Sequence, residues 1–343
     1  MVQPLGAGGA GAAGVSEAPG AGVPGGPGAT PVAGSVGPVH GTAAPVLGSA
    51  SAHGSAAPVH GSAGPVLGSA GPPPIDAEAF NAFEAAGWEA RADSYAFLRP
   101  LTGRIIGSLL ASACVEAGDQ VLDVGSGPGD LAAAAAAMGA DTVGIDVAPS
   151  MVRRAALANP SIPFRVGSFE AIPAGEGTFD AVVGNFVFNH VGRPEAALGE
   201  AMRVLRPGGW LALSAWDAPR RNRVLGLMLD ALAAAAAPPP VGLPAGPTHF
   251  RTDDELRALF ADAGLADVGL GRVMFEAMVP DLDTLWRGVL DSAVRIPPLV
   301  TTQAPDVQAR IRGAFDRLAA PHLRPDGRYA IPVSVQVVRG RRP

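Results

Sequence analysis

The chain has 343 residues, 48% of them hydrophobic, and a formal net charge of −6, which is enough for one large α/β domain with additions. That acidic balance, with no basic block apart from a cluster over 339–342, disfavours nucleic acid as a partner. No run of about 18 apolar residues lacks Gly, Pro or charge, so no membrane span is expected, and without a basic leader the reading is cytoplasmic.

Residues 1–74 carry one charged side chain, Glu17, and few large apolar ones. Gly, Ala, Pro and Ser cannot bury enough area to offset ordering entropy, so this tail is expected to be disordered. Within it Pro38–Ala50 recurs at Pro58–Ala70 with two substitutions. His40, His53 and His60 fall in this region, and repeat expansion explains them better than a metal tract does. Deleting residues 1–74 is expected to leave the melting temperature unchanged. A drop of several degrees would show that the tail packs on the rest.

Ordered chain is expected from Ile75. Phe80, Phe83, Trp88, Tyr95, Phe97 and Leu98 suggest helices leading into another over Thr102–Val115. The lone Cys114 cannot form an internal disulfide, and in this apolar stretch it is expected to be a buried structural thiol. Strand 120–124, helix 128–138, strand 142–146, helix 149–158, strands 162–167 and 179–185, helix 194–205 and strand 210–216 follow. Such alternation implies a parallel sheet wound on both faces. Arg221–Ala237 reads as the next helix, ended by three prolines. Thr252 with Glu255 forms a capping-box signal for helix 253–263, which Gly264 stops. Strand 267–275, helices near 281–293 and 303–319, and a period-two strand Tyr329–Val338 complete the chain.

The chemistry concentrates in Val121-Leu122-Asp123-Val124-Gly125-Ser126-Gly127-Pro128-Gly129-Asp130. This segment reads as a buried strand that breaks into a glycine turn and then a helix. Glycine permits φ > 0 and close approach to a ligand, and the helix start offers unpaired N–H groups. Farther on, the strand Thr142-Val143-Gly144-Ile145 ends in Asp146. An acid at that strand tip is placed to grip a ribose diol, so a nucleoside-containing cofactor is the first inference. A dinucleotide fingerprint needs a glycine where Asp130 stands. Asp123 would also repel a pyrophosphate and attract an ammonium group, which counts against a nucleotide-linked oxidoreductase.

Asp123-x-Gly125-x-Gly127-x-Gly129 with the later Asp146 resembles the class I S-adenosylmethionine (SAM)-dependent methyltransferases. Four further segments carry the resemblance: Asp141–Met151, Phe164–Glu170, Phe179–Val191 and Val204–Ser214. They are similar to the family's ribose-binding strand, adenine-side loop, fourth strand with its functional tip, and Pro-Gly-Gly turn with fifth strand. The nearest branch in character is the quinone-biosynthesis-type and related small-molecule enzymes. The resemblance implies an α/β fold with a doubly wound, mostly parallel seven-stranded sheet of Rossmann-like type, occupying residues 75–343. The family's final antiparallel hairpin is interrupted here by roughly 50 residues. Helical cap elements near 75–116, 220–265 and 280–320 would then cover the substrate mouth.

The resemblance also implies the site. Asp123 and the backbone of Gly125, Ser126, Gly127 and Gly129 would hold the methionine end, and Asp146 the ribose. Val147 and Phe169 would flank the adenine, with Met151 close by and Ser168 at its edge. The family usually has Asp where Ser168 stands, which weakens or relocates that contact. Asn185 and Phe186, at the carboxyl end of the fourth strand, fall at the usual ligand edge. Tyr95 would close over the cofactor. His190 is the candidate base for a proton-bearing acceptor, with packing behind the fourth strand as its other reading. His249 and His322 read as structural, and no Cys or His cluster has metal spacing. The implied cofactor is SAM, and the implied partner is a small-molecule methyl acceptor. The reaction is O- or C-methylation in secondary or quinone-like metabolism, and a homodimer is compatible. The alternative is a non-catalytic SAM-fold binding or regulatory protein.

Overall fold

The computed structural model describes residues 75–247 and 251–343. The tail, its repeat and His249 lie outside the described residues. In chain order the elements begin with three helices: α1 Ala77–Arg91, α2 Arg99–Thr102 and α3 Ile106–Ser112. Then come β1 Gln120–Val124, α4 Asp130–Ala137, β2 Asp141–Asp146, α5 Pro149–Ala158, β3 Phe164–Val166 and β4 Phe179–Gly184. They are followed by α6 Pro194–Val204, β5 Leu205–Trp216, α7 Arg223–Ala234, α8 Asp253–Asp262 and β6 Ala266–Val279. The last are α9 Leu282–Ser292, α10 Ile296–Thr301, α11 Pro305–Ala319 and β7 Tyr329–Arg341.

Among the described residues, seven strands form one sheet in the order β3-β2-β1-β4-β5-β7-β6. β1 to β5 are mutually parallel, and β7 runs antiparallel to both β5 and β6. The order reverses between β1 and β4, so a crevice opens beyond their carboxyl ends, where open α/β sheets take ligands. Strand alternation explains the two cores. Val121, Ala181, Val183 and Ala212 face one core with α3, α4, α7 and α11. Leu122, Val124, Val182, Leu211 and Leu213 face the other with α6 and α8. A strand buried on both faces is largely apolar, and in these segments Asp123 of β1 and Ser214 of β5 are the buried polar exceptions.

Local signals account for most element ends. Asp76 caps α1 by accepting from the Glu78 and Ala79 N–H groups. The Thr252–Glu255 capping box is formed in both directions. Gly264 ends α8 at φ +87°. Other details depart from the sequence reading. Helix 303–319 is preceded by a separate α10, because Pro297 and Pro298 can open a helix and Pro305 opens another. β6 runs on to Val279 because it pairs with β7 along its length, from Ala266↔Arg341 to Val279↔Tyr329. Cys114 is exposed rather than buried. After α3 the backbone reverses through Cys114 at φ +50°, which turns its thiol outward and Val115 inward.

The interrupting segment between β6 and β7 packs on α1 and the chain that follows it. Ser292 Oγ donates to the Ser94 carbonyl at 2.9 Å, and Ser94 Oγ donates to the Asp291 carbonyl at 2.7 Å. Gly288 lies so close to the Phe97 ring that a Cβ there would fall 2.3 Å from it. These contacts place α1 over the crevice. No helix among the described residues is long and apolar enough to cross a membrane.

Asp217, just past β5, ties β5, β6 and β7 together. Its side chain is fully buried. Burial pushes its carboxyl up, but hydrogen bonds from Arg221, Ser334, Arg272 and the Ala218 N–H outweigh this and hold it far below the usual carboxylate range. A depressed folded-state value means the stabilisation is complete above the unfolded-state value near pH ~4 and is lost as pH falls further. Asp217→Ala is therefore expected to cost about 3 kcal/mol. Asp217→Asn should flatten the acid side of a melting-temperature profile below pH ~4. An unchanged acid limb in the variant would show that other carboxylates govern acid unfolding.

Candidate active site

The glycine turn follows from its neighbours. Gly125 sits at φ +66°, and a Cβ there would fall 2.5 Å from Val187 Cγ2. Gly129, at φ +88°, meets Asn159 and Phe164 at 2.9 Å on the same test and starts α4. Any side chain at either position would open the turn. Asp146 closes it from the β2 tip: Oδ2 accepts from the Gly127 N–H and Oδ1 from the Ala148 N–H, both at 2.9 Å. Burial pushes the Asp146 carboxyl up, opposed by those two N–H groups and by the nearby His190.

Eleven of the sequence-derived candidates line one cleft: Tyr95, Gly125, Gly127, Asp146, Val147, Met151, Ser168, Phe169, Asn185, Phe186 and His190. Val147 is 38% exposed on its wall, whereas Phe169 and Phe186 are buried. Asp123, Ser126 and Gly129 lie outside the lining. Asp123 sits beneath the turn because its Oδ2 accepts from Ala132 N–H of α4 at 3.0 Å. Its Oδ1 is buried without a partner, and burial pushes this carboxyl well up. The Asn185 amide is also committed: Nδ2 donates to the Thr102 carbonyl, and Oδ1 accepts from Ser214 Oγ. These two bonds fix the orientation of the amide on the wall and leave one N–H and one lone pair. Ser168 Oγ accepts from the Glu170 N–H at 3.1 Å and so shapes its own turn. Tyr95 stands edge-on to Trp88 with ring centroids 5.9 Å apart, and burial pushes its phenol up to about 12.

His190 lines the cleft, with its side chain 22% exposed. Its Nδ1 lies 2.9 Å from Glu84 Oε2, and its ring stands edge-on to Trp88 at 5.0 Å. Glu84, Trp88 and Asn81, all on α1, also line the cleft and were missed by the sequence reading. One signal was available. Phe80, Glu84 and Trp88 recur at i, i+4, so an acid stands in the apolar stripe of an amphipathic helix. Such an acid is buried, and a buried acid needs a partner. His322 lies elsewhere, in an open hollow with Arg220, Arg223 and Met274 that holds none of the motif residues. Burial, then Arg223 and Arg324, push its imidazole down.

The methyltransferase-domain family matches residues 122–213, the span from β1 to β5 that builds this cleft. Over that span the chain carries a methyltransferase domain. Similar proteins include a demethylmenaquinone methyltransferase of Renibacterium salmoninarum, 35% identical over 30% of this chain and 43% of the relative. A ubiquinone biosynthesis O-methyltransferase of Xanthomonas oryzae pv. oryzae is 41% identical over 29% of this chain and 43% of the relative. An uncharacterized protein of Mycobacterium bovis is 30% identical over 45% and 56%. The chain thus spans about half the length of the curated relatives it matches. Among solved structures, a putative methyltransferase from an antibiotic biosynthesis pathway of Anabaena variabilis aligns with 69% of this chain and 96% of its own. It does so at 18% identity and a TM-score of 0.49, which adds nothing to the sheet order.

The residues of the methyltransferase domain fit the cofactor. An ionised carboxylate offers about four lone-pair positions, so Asp146 can keep its two N–H bonds and accept from two ribose hydroxyls. A Cβ on Gly127 would meet nothing within 4 Å, so the turn leaves open space there for a ligand. The cleft is apolar at Val147, Phe169 and Met151, as an adenine requires.

Proposed function

We propose that the protein transfers a methyl group from SAM to a small-molecule acceptor, on oxygen or on an activated carbon. The observation that carries this reading is the Asp146–Gly127 clamp at the mouth of a cleft that also contains a histidine. SAM supplies an activated methyl carbon, so the protein's work is largely alignment and proton handling. The Gly125–Gly127 backbone holds the methionine end, and Asp146 holds the ribose. Val147 and Phe169 flank the adenine, with Met151 and Ser168 at its border. Tyr95 closes over the bound cofactor, and α1 keeps water from it. His190 takes the proton of a hydroxyl acceptor. The printed names of the quinone-pathway relatives suggest a hydroxylated quinone-like ring as the first acceptor class to try.

Calorimetry with SAM, followed by transfer of radiolabelled methyl to a panel of phenols and hydroxyquinones, tests the proposal. Micromolar binding and label in at least one acceptor are expected. Tight binding without transfer to any acceptor would favour a binding or regulatory protein. No binding at all would remove the cofactor assignment.

A further inference from the structure

His190 stands at the end of a buried chain of charges that the methyl-transfer motifs do not include. Glu84 is 2% exposed, and its Oε2 lies 2.9 Å from His190 Nδ1. Its other oxygen, Oε1, is buried without a hydrogen-bond partner. It faces Arg295 Nη1 at 3.9 Å, and that atom is likewise buried without a partner. Arg295 is held independently of Glu84. Its Nη2 donates to the Pro244 carbonyl at 2.8 Å, and its guanidinium lies 5.0 Å from the Phe80 ring centroid and 5.8 Å from that of Phe83. Arg295 precedes α10 in the segment that interrupts the final hairpin. The charge of Arg91, at the end of α1, also reaches Glu84.

The geometry points to Glu84, backed by Arg295 of the inserted helices, as the positioning residue that fixes the tautomer and orientation of His190. This rests on the reading of His190 as the base. An ionised carboxylate only accepts hydrogen bonds. Facing one, the ring must donate through Nδ1, and in a neutral imidazole the basic lone pair is then on Nε2. Arg295 supplies the counter-charge that a carboxylate this deeply buried needs. The insertion would therefore do more than cover the cleft, because it completes the base from a segment remote in sequence.

The test reads the tautomer directly. The protein is labelled with ¹⁵N at histidine, and the His190 resonances are assigned by their loss in His190→Gln. The expected result is an Nδ1–H tautomer in the wild type. Glu84→Leu removes the acceptor at similar volume and should abolish that preference. Arg295→Met keeps the apolar contact with Phe80 and should weaken it. Glu84→Met serves as a second variant. Its thioether is at most a weak acceptor, so it too should end the single-tautomer state. An Nε2–H tautomer in the wild type, or an Nδ1–H tautomer that persists in a folded Glu84 variant, overturns the proposal. An unchanged ring in Arg295→Met removes Arg295 from it. With an accepted substrate, Glu84→Leu should lower kcat at least tenfold while SAM affinity stays within twofold. SAM affinity thus reports on the proposed function, and the imidazole spectrum on this inference.

Discussion

Asp146→Ala is expected to weaken SAM binding by at least tenfold. Hydrogen bonds to a charged group are worth about 1.5–3 kcal/mol each, and about 1.4 kcal/mol is a factor of ten, so losing one ribose contact suffices. The structure adds a second reason. Both carboxylate oxygens already hold backbone, one the glycine turn and the other the start of α5. Removing them frees the Gly127 N–H and loosens the turn that would hold the methionine end. Asp146→Asn should be little better. An amide has a single acceptor oxygen, so its NH₂ group would face one of two N–H donors. Calorimetry on both variants checks this, with thermal melts showing that the fold survives. Unchanged affinity in Asp146→Ala would take the residue out of the cofactor site.

His190→Gln is expected to lower turnover by roughly 10²–10⁴-fold, the usual weight of a general base, with a melting temperature near that of the wild type. Glutamine can still donate to Glu84 but cannot accept a proton from the acceptor. His190→Ala should lose the same turnover and also about 1–3 kcal/mol of stability, because it leaves the buried Glu84 Oε2 without a donor. Catalytic and packing roles are therefore compatible at this position, since a residue on the cleft wall can also hold the helix above it. Steady-state rates with one accepted acceptor, together with melts, separate the two. A glutamine variant that turns over normally would show that the acceptor is acidic enough to react unaided, or that carbon is methylated.

Much of the site was legible because its signals are local. The turn from Asp123 to Gly129, the acid at the β2 tip and the capping box at Thr252 each depend on residues a few positions apart. Their backbone chemistry is the same in any fold that contains them. The apolar strands could be read for a related reason: a strand covered on both faces has few polar positions. Side-chain direction was not legible where it depends on what a neighbour offers. Cys114 belongs to an apolar stretch, yet a left-handed residue turns it to the surface. Asp123 has the spacing of a ligand group, yet the Ala132 N–H draws its Oδ2 beneath the turn. Asn185 stands at the strand tip, where Thr102 and Ser214 fix the orientation of its amide.

By itself the sequence determined the order of strands and helices, the glycine turn and the acid that clamps it, because period and short spacing encode these. Only the tertiary structure decided what stands opposite His190. Glu84 is 106 residues away in the chain, and Arg295 lies in a segment that enters between the last two strands. No periodicity links three such segments. They meet because the end of α9 and the segment joining it to α10 pack on α1 and the turn after it, with Val294 against Gly87 and Ser292 hydrogen-bonded to the Ser94 carbonyl. A carboxylate carried into that contact requires a donor and a counter-charge from whatever the fold brings beside it.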